Sequence, residues 1–233
     1  MQAVTLRYFS IVGRAQPIRH ALADGGVVFE DVRIGLGDWP THRENAAFAG
    51  TFAALPTLTW GAETVSETLP IGSYVARKLG HYDGLEPGAV ARLESIASCA
   101  YLDVAARFGE VIWVDRMYPG VDIVAAFPFL MGRVFGKLDF IERVLPDSTW
   151  LGGERPVVAD FFSAEAFETV RHVLGPRHDD ALAKRLPRFT ALARRVRERP
   201  SLASSWEKRA ATFTARPDEP AIIERLRTAP LTI

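Results

Sequence analysis

The apolar pattern of this 233-residue chain changes character once, and that change limits the folds open to it. In the first third, short alternating runs interleave with helical ones. Val4, Leu6 and Tyr8 alternate with more polar neighbours and predict a strand over Ala3–Tyr8. A helix over Arg14–Asp24, with Pro17 in its first turn, is stopped by Gly25-Gly26, and Val27, Phe29 and Val32 predict a second strand running to Ile34. The stretch Gly35–Thr51 reads as irregular, weakly helical around Pro40–Ala47. Leu55–Trp60 and Thr64–Ser66, joined at Gly61-Ala62, form a hairpin, and Leu69, Ile71, Tyr74, Val75 and Leu79 mark a helix from Glu67 to Gly80. Beyond Gly88 the period is helical throughout. Val90 to Val111 forms one stripe about seven turns long, and helices follow over Ile123–Val144, Val158–Leu174, Asp180–Arg197 and from Leu202 to Phe213.

Strand-helix-strand followed by strand-strand-helix is the βαβ–ββα order of a thioredoxin-like domain, with the first crossover right-handed and its strands parallel. The expected organisation is an α/β thioredoxin-like domain at 1–79, a Gly/Pro-containing linker at 80–88 and an all-helical domain at 89–233. The balance of 28 basic against 28 acidic residues excludes a basic stripe as the main surface, so neither nucleic acid nor anionic lipid is expected as a partner. Cys99, the single cysteine, cannot form an internal disulfide, which suits a reducing compartment. Met1–Thr5 has no charged leader with a long apolar core, and no apolar run is long enough for a bilayer; a cytoplasmic protein without membrane partner or metal is expected.

Three segments carry a family resemblance. The first is Tyr8-Phe9-Ser10-Ile11-Val12-Gly13-Arg14-Ala15-Gln16-Pro17-Ile18-Arg19, in which a tyrosine ends a strand and a Gly-Arg-Ala-x-Pro-Ile-Arg turn enters a helix. The second is Leu55-Pro56 before the hairpin, with Glu67-Thr68-Leu69-Pro70-Ile71-Gly72-Ser73-Tyr74-Val75-Ala76 after it. The third is Trp150-Leu151-Gly152-Gly153-Glu154-Arg155-Pro156-Val157-Val158-Ala159-Asp160. Together they resemble the cytosolic glutathione transferases of the tyrosine type, the sigma, pi, mu and alpha group, in a bacterial-like form. Two departures stand out. Pro70 replaces an alanine in the first turn of a helix, where proline is tolerated. Val157 replaces a capping Ser or Thr, a loss of about 0.5–2 kcal/mol unless Asp160 compensates.

The resemblance implies roles for particular residues. A free thiol of pKa about 8.5 is only a few per cent ionised at pH 7, and lowering it by two units takes about 2.7 kcal/mol of selective anion stabilisation. A hydrogen bond to a charged group contributes roughly 1.5–3 kcal/mol. Tyr8 is therefore implied as the donor to the glutathione thiolate, aided by a helix N-terminus; on local grounds alone it reads first as a strand-end tyrosine with its hydroxyl in water, since strands favour aromatics. Arg14 is implied as electrostatic support, or is a solvated helix-start arginine. Glu67 and Thr68 would take the γ-glutamyl end, or simply cap a helix. Leu55, before a cis Pro56, would pair its backbone with the cysteinyl peptide. Trp39 and Arg43 would meet the glycyl end. Phe9, Ile11, Phe108, Ile112 and Trp113 are candidates for an apolar electrophile pocket between domains, and equally for core. Asp103 lies one position away from an acidic residue of the family and takes no role.

The expected function is conjugation of glutathione, the co-substrate, to small hydrophobic electrophiles, a detoxification chemistry, by a homodimer. A glutathione-dependent isomerase or peroxidase on the same scaffold and a non-catalytic ligand-binding member are the alternatives. Activation by Ser10 stays open; a cysteine-type mechanism is disfavoured, since no cysteine lies near Tyr8–Arg14 and Cys99 sits in a helical stripe.

Overall fold

The computed structural model describes all residues except Met1, Ser148, Ala215 and Thr232, so the part of the leader reading that concerns Met1 lies outside the described residues. Strand β1 (Val4–Phe9) passes through a 3-10 turn at Gly13–Ala15 into α1 (Gln16–Asp24). Strand β2 (Glu30–Ile34) then runs parallel to β1 in the register Thr5↔Glu30 to Phe9↔Ile34. The expected start at Val27 is too early: the ladder begins at Glu30, and Val28 is turned out to solvent. Two single-turn helices, α2 (Trp39–His42) and α3 (Ala46–Ala49), precede the hairpin of β3 (Thr57–Trp60) and β4 (Glu63–Ser66) and then α4 (Thr68–Lys78). The mixed sheet has the order β2-β1-β3-β4, with β3 antiparallel to both its neighbours. The Leu55–Pro56 peptide is cis. This is the thioredoxin-like arrangement, followed by helices alone.

The long stripe forms α5 (Pro87–Ser98) and α6 (Ala106–Met117), joined by a π-helical turn at Cys99–Ala105 that a regular 3.6-residue period does not anticipate. Helices α7 (Ile123–Val144) and α8 (Val158–Leu174) have the expected limits. The helix expected over 180–197 is two, α9 (Asp179–Arg185) and α10 (Pro187–Arg197). Pro187 brings no N–H to an α-helical bond, and Leu186 leaves the helical region at φ −126°, ψ 60°. The last expected helix is only α11 (Ala203–Glu207); residues 208–214 and 216–218 form a strap before α12 (Glu219–Leu226), which the sequence reading did not anticipate. Ile222, Ile223 and Leu226 on one face, with Pro220 in the first turn, are the signal that would have located it.

Helix α8 is buried along nearly its whole length and packs against α1, α4, α5 and α10, so the sheet domain and the helical domain share one core around it. Its N-terminus is closed without the missing hydroxyl. The Asp160 carboxylate accepts the N–H of Val157 at 2.8 Å and of Leu151 at 2.9 Å, while His81 Nδ1, from the segment between α4 and α5, accepts the Val158 N–H at 3.1 Å. Among the described residues, no helix is long and apolar enough to cross a membrane, and no His, Cys, Asp and Glu groups gather as a metal-binding cluster.

Candidate active site

A cavity of about 530 Å³ opens where the C-terminal end of β1 meets α6, α8 and the strap. Tyr8 projects into it from β1, only 4% exposed, because the alternation that buries Val4 and Leu6 beneath the sheet places Tyr8 on the same face. The backbone N–H of Arg14 donates to Tyr8 Oη at 3.0 Å. The hydroxyl thus spends a lone pair on the following turn, a contact that does not use its own proton. Burial pushes the Tyr8 phenol up to about 12, opposed by the Arg14 N–H and by the Arg14 and Arg19 guanidiniums. The phenol therefore stays protonated across the physiological range.

The turn that makes this contact requires glycine. Gly13 has φ +40°, and a Cβ there would stand 2.6 Å from Tyr8 Oη. Beneath the Tyr8 ring lies Arg19, 2% exposed, its guanidinium carbon 5.9 Å from the ring centroid. Arg19 is held by Asp31 of β2 through Nε at 3.1 Å and donates to the Ile11 carbonyl at 3.1 Å, so it ties the loop after β1 to the neighbouring strand. The sequence reading gave Arg19 no role; its signal was a charged residue on the apolar face of α1.

Leu55 lines the cavity beside the cis peptide, and Trp39, half-buried, packs edge-on to Phe9 at 5.6 Å between centroids. Phe9, Ile11, Phe108, Ile112 and Trp113 all line it. Arg14 does so as well, and its charge partly offsets the burial that raises the phenol pKa of both Tyr8 and Tyr101. Arg43 does not reach the cavity: its guanidinium pairs with Glu44 at 3.1 Å and is largely exposed. Glu67 and Thr68 lie outside the cavity wall but adjoin Tyr101, which is part of it. Thr68 Oγ1 is buried without a hydrogen-bond partner at the N-terminus of α4, and Glu67 adopts φ +73°, ψ 136°, a conformation that costs of order 1–3 kcal/mol in a non-glycine residue. A carboxylate at this helix start would meet an unpartnered hydroxyl and free backbone N–H groups. These donors, with Tyr8 and the strand-like backbone at Leu55, fit a peptide thiol carrying carboxylates.

The site also has a wall that sequence patterning did not reveal. Tyr101, from the π-turn, and Phe213 and Thr214, from the strap, complete the cavity. Tyr101 was hidden because the π-turn changes the phase of its helix, and the strap residues because a continuing helix was expected there.

Residues 125–209 match the family model described as glutathione S-transferase, C-terminal domain. Over the full length, the chain is 28% identical to hematopoietic prostaglandin D synthase of Gallus gallus across 208 residues, 89% of this chain and 96% of that one. It is 23% identical to glutathione S-transferase P 1 of Xenopus laevis across 209 residues, 87% of this chain and 91% of that one. Among solved structures, the Onchocerca volvulus Pi-class glutathione S-transferase superimposes with a TM-score of 0.72 at 22% identity, covering 93% of this chain and 99% of that one. The animal sources of these relatives give no support to the bacterial-like type expected from the sequence.

Proposed function

From a chain that belongs to the glutathione S-transferase family, we infer a transferase that binds glutathione, holds its sulfur as the thiolate through the Tyr8 hydroxyl and conjugates it to small hydrophobic electrophiles. The observation that carries this reading is the Tyr8 hydroxyl in the cavity, accepting the Arg14 N–H at 3.0 Å and retaining its own proton. A thiolate placed there would receive a hydrogen bond of the charged kind, roughly 1.5–3 kcal/mol, which covers most of the two-unit fall in thiol pKa that the chemistry needs. Arg14 adds positive charge at the same point. Thr68 and the start of α4 would take the γ-glutamyl carboxylate, Glu67 its ammonium, and Leu55 the cysteinyl backbone. Trp39 would touch the glycyl end. With Arg43 turned to Glu44, the cation expected there is not aimed at the cavity.

Phe9, Ile11, Phe108, Ile112 and Trp113 would hold the electrophile next to the sulfur. Replacing Tyr8 by Phe removes the donor and keeps the ring, so conjugation should fall about 10- to 100-fold while glutathione still binds. Titration of glutathione near neutral pH, followed by tryptophan fluorescence and by thiolate absorbance, reads both quantities. Unchanged turnover in the variant would rule out the role of Tyr8, and Ser10 would be tested next. A glutathione-dependent isomerase is the second reading, favoured by the full-length likeness to a relative named as a prostaglandin D synthase. Product analysis separates the two, since a conjugate retains the tripeptide and an isomerised product does not. Assembly as a homodimer, domain limits at 1–79 and 89–233 and a cytoplasmic location belong to the same proposal.

A further inference from the structure

The described residues of the strap, 208–214 and 216–218, are fastened to three parts of the molecule. At one end, the Val12 N–H, in the loop that follows Tyr8 and Phe9, donates to the Thr212 carbonyl at 2.9 Å. In the middle, Glu219, 1% exposed, accepts the N–H of Phe213 at 2.9 Å and of Thr214 at 2.6 Å, so a buried carboxylate holds the turn that points these two residues at the cavity. Beyond them, the Arg216 guanidinium is 5% exposed and bonds both oxygens of Asp115, both oxygens of Asp218 and the Ile112 carbonyl. It lies 5.8 Å from the centroid of Trp113. Asp115, Ile112 and Trp113 belong to α6, and two of the three line the cavity.

A bidentate pair between two elements fixes distance and orientation together, unlike a single contact on a flexible stem. Arg216 therefore sets the gap between α6 and the strap, both of which contribute residues to the cavity wall. Phe108 of α6 and Thr169 and Val173 of α8 line the same cavity. We propose that Arg216 is a positioning residue whose bidentate latch onto Asp115 holds Phe213 and Thr214 as a fixed end wall, so that this chain selects electrophiles by length. The proposal rests on the transferase reading above. It assigns the substrate class as extended apolar electrophiles up to a limit set by that wall, and Arg216 itself touches neither glutathione nor the reacting atoms.

The test uses the full chain and a series of 2-alkenals from four to nine carbons. In each, the thiolate adds to the β-carbon, the double-bond electrons move toward the carbonyl and the α-carbon takes a proton, so the chemistry is constant and only the length varies. Wild type should show a sharp fall in kcat/KM beyond one chain length. Arg216→Gln and the milder Asp115→Asn should flatten that fall, raising the long-to-short ratio at least about threefold, mainly through KM for the long members. Glutathione binding and thiolate absorbance should stay within about twofold of wild type. An unchanged length profile in Asp115→Asn would overturn the proposal, as would a loss of glutathione binding as large as the change in alkenal KM. If wild type turns over no alkenal, the transferase reading fails on its own. The wall is then read without chemistry, by quenching of tryptophan fluorescence with saturated aldehydes of the same lengths, Trp39 and Trp113 both lining the cavity. A length limit present in wild type and absent in the variants supports the latch; the same limit in all three overturns it.

Discussion

At the scale of single residues, the site depends on close approaches that only particular side chains permit. Gly13 is the narrowest of them, since a Cβ at 2.6 Å from Tyr8 Oη has nowhere to go in a loop pinned at Ile11 and Val12. Gly13→Ala should push the hydroxyl off the Arg14 N–H and lower kcat/KM for conjugation at least tenfold, with a stability loss of about 1–3 kcal/mol; kinetics and denaturant unfolding of the same protein check both. Glu67 is held at φ +73°, so Glu67→Gly should stabilise the fold by up to about 1 kcal/mol while weakening glutathione roughly tenfold. Calorimetric titration beside thermal unfolding would reveal that opposition, and a variant that gained neither stability nor lost affinity would show that the strain serves no ligand. With burial holding the Tyr8 phenol near 12, the rate should show no decline from Tyr8 ionisation between pH 7 and 10.

At the scale of elements, α8 shows how a missing cap was replaced. The sequence signalled the loss at Val157 and the presence of Asp160, but His81 is 76 to 77 positions away along the chain, and only the turn after α4 brings its ring to the Val158 N–H. Burial and the nearby Arg155 lower the His81 pKa below the usual histidine value of 6.5. The unfolded chain therefore takes up a proton at His81 before the folded one does, so its contribution is present above about pH 6.5 and is lost as the pH falls below that value. Asp160 acts in the other direction: burial raises its carboxyl to about 7, and protonation of the folded state favours folding as pH falls from 7 toward 3.8. His81→Ala should cost about 0.5–2 kcal/mol at pH 7.5 and lose less further stability than wild type between pH 6.5 and 5, measured by urea unfolding. Most elements were legible because their apolar period is regular. Those that were not have different causes: the break at Leu186-Pro187 follows from the proline's missing N–H, the strap depends on tertiary bonds to Glu219 that override local period, and the π-turn shifts the phase of a stripe that is otherwise regular.

At the scale of the whole molecule, the sheet domain and the helices are joined through buried charge. His20 of α1 contacts Glu165 of α8 at 2.9 Å and Ser205 of α11 at 3.0 Å, and the other oxygen of Glu165 accepts from Arg209 at 2.7 Å. Although burial opposes it, the charges and hydrogen bonds of Arg209 and His20 lower the Glu165 pKa from 4.5 to about 2. Its stabilising effect is therefore complete above about pH 4.5 and disappears as the pH falls toward 2. Glu165→Gln should cost about 3–5 kcal/mol at neutral pH, by leaving Arg209 and His20 without their anion, and should make the acid limb of the stability profile shallower. No local pattern marked these residues as partners, since they come from three helices and the strap. By contrast, the place of Tyr8, Phe9, Phe108, Ile112 and Trp113 along the cavity wall was legible, because each belongs to a strand end or a helical stripe whose facing direction follows from its period.

The π-turn at Cys99–Ala105 has a consequence for how this protein tolerates change in length. An α-helix advances about 100° per residue, and a π-turn holds one residue more than a regular turn. Leu102 lies within it, exposed to solvent, with Tyr101 on the cavity side. Deleting Leu102 would take out the surplus residue, and the shortened turn could close as ordinary helix with α5 and α6 still aimed at their present neighbours. Deleting a residue from either flanking helix would instead rotate one against the other by about a quarter-turn. In this long rod, the turn beside the cavity is where a lost codon would do least harm to the core.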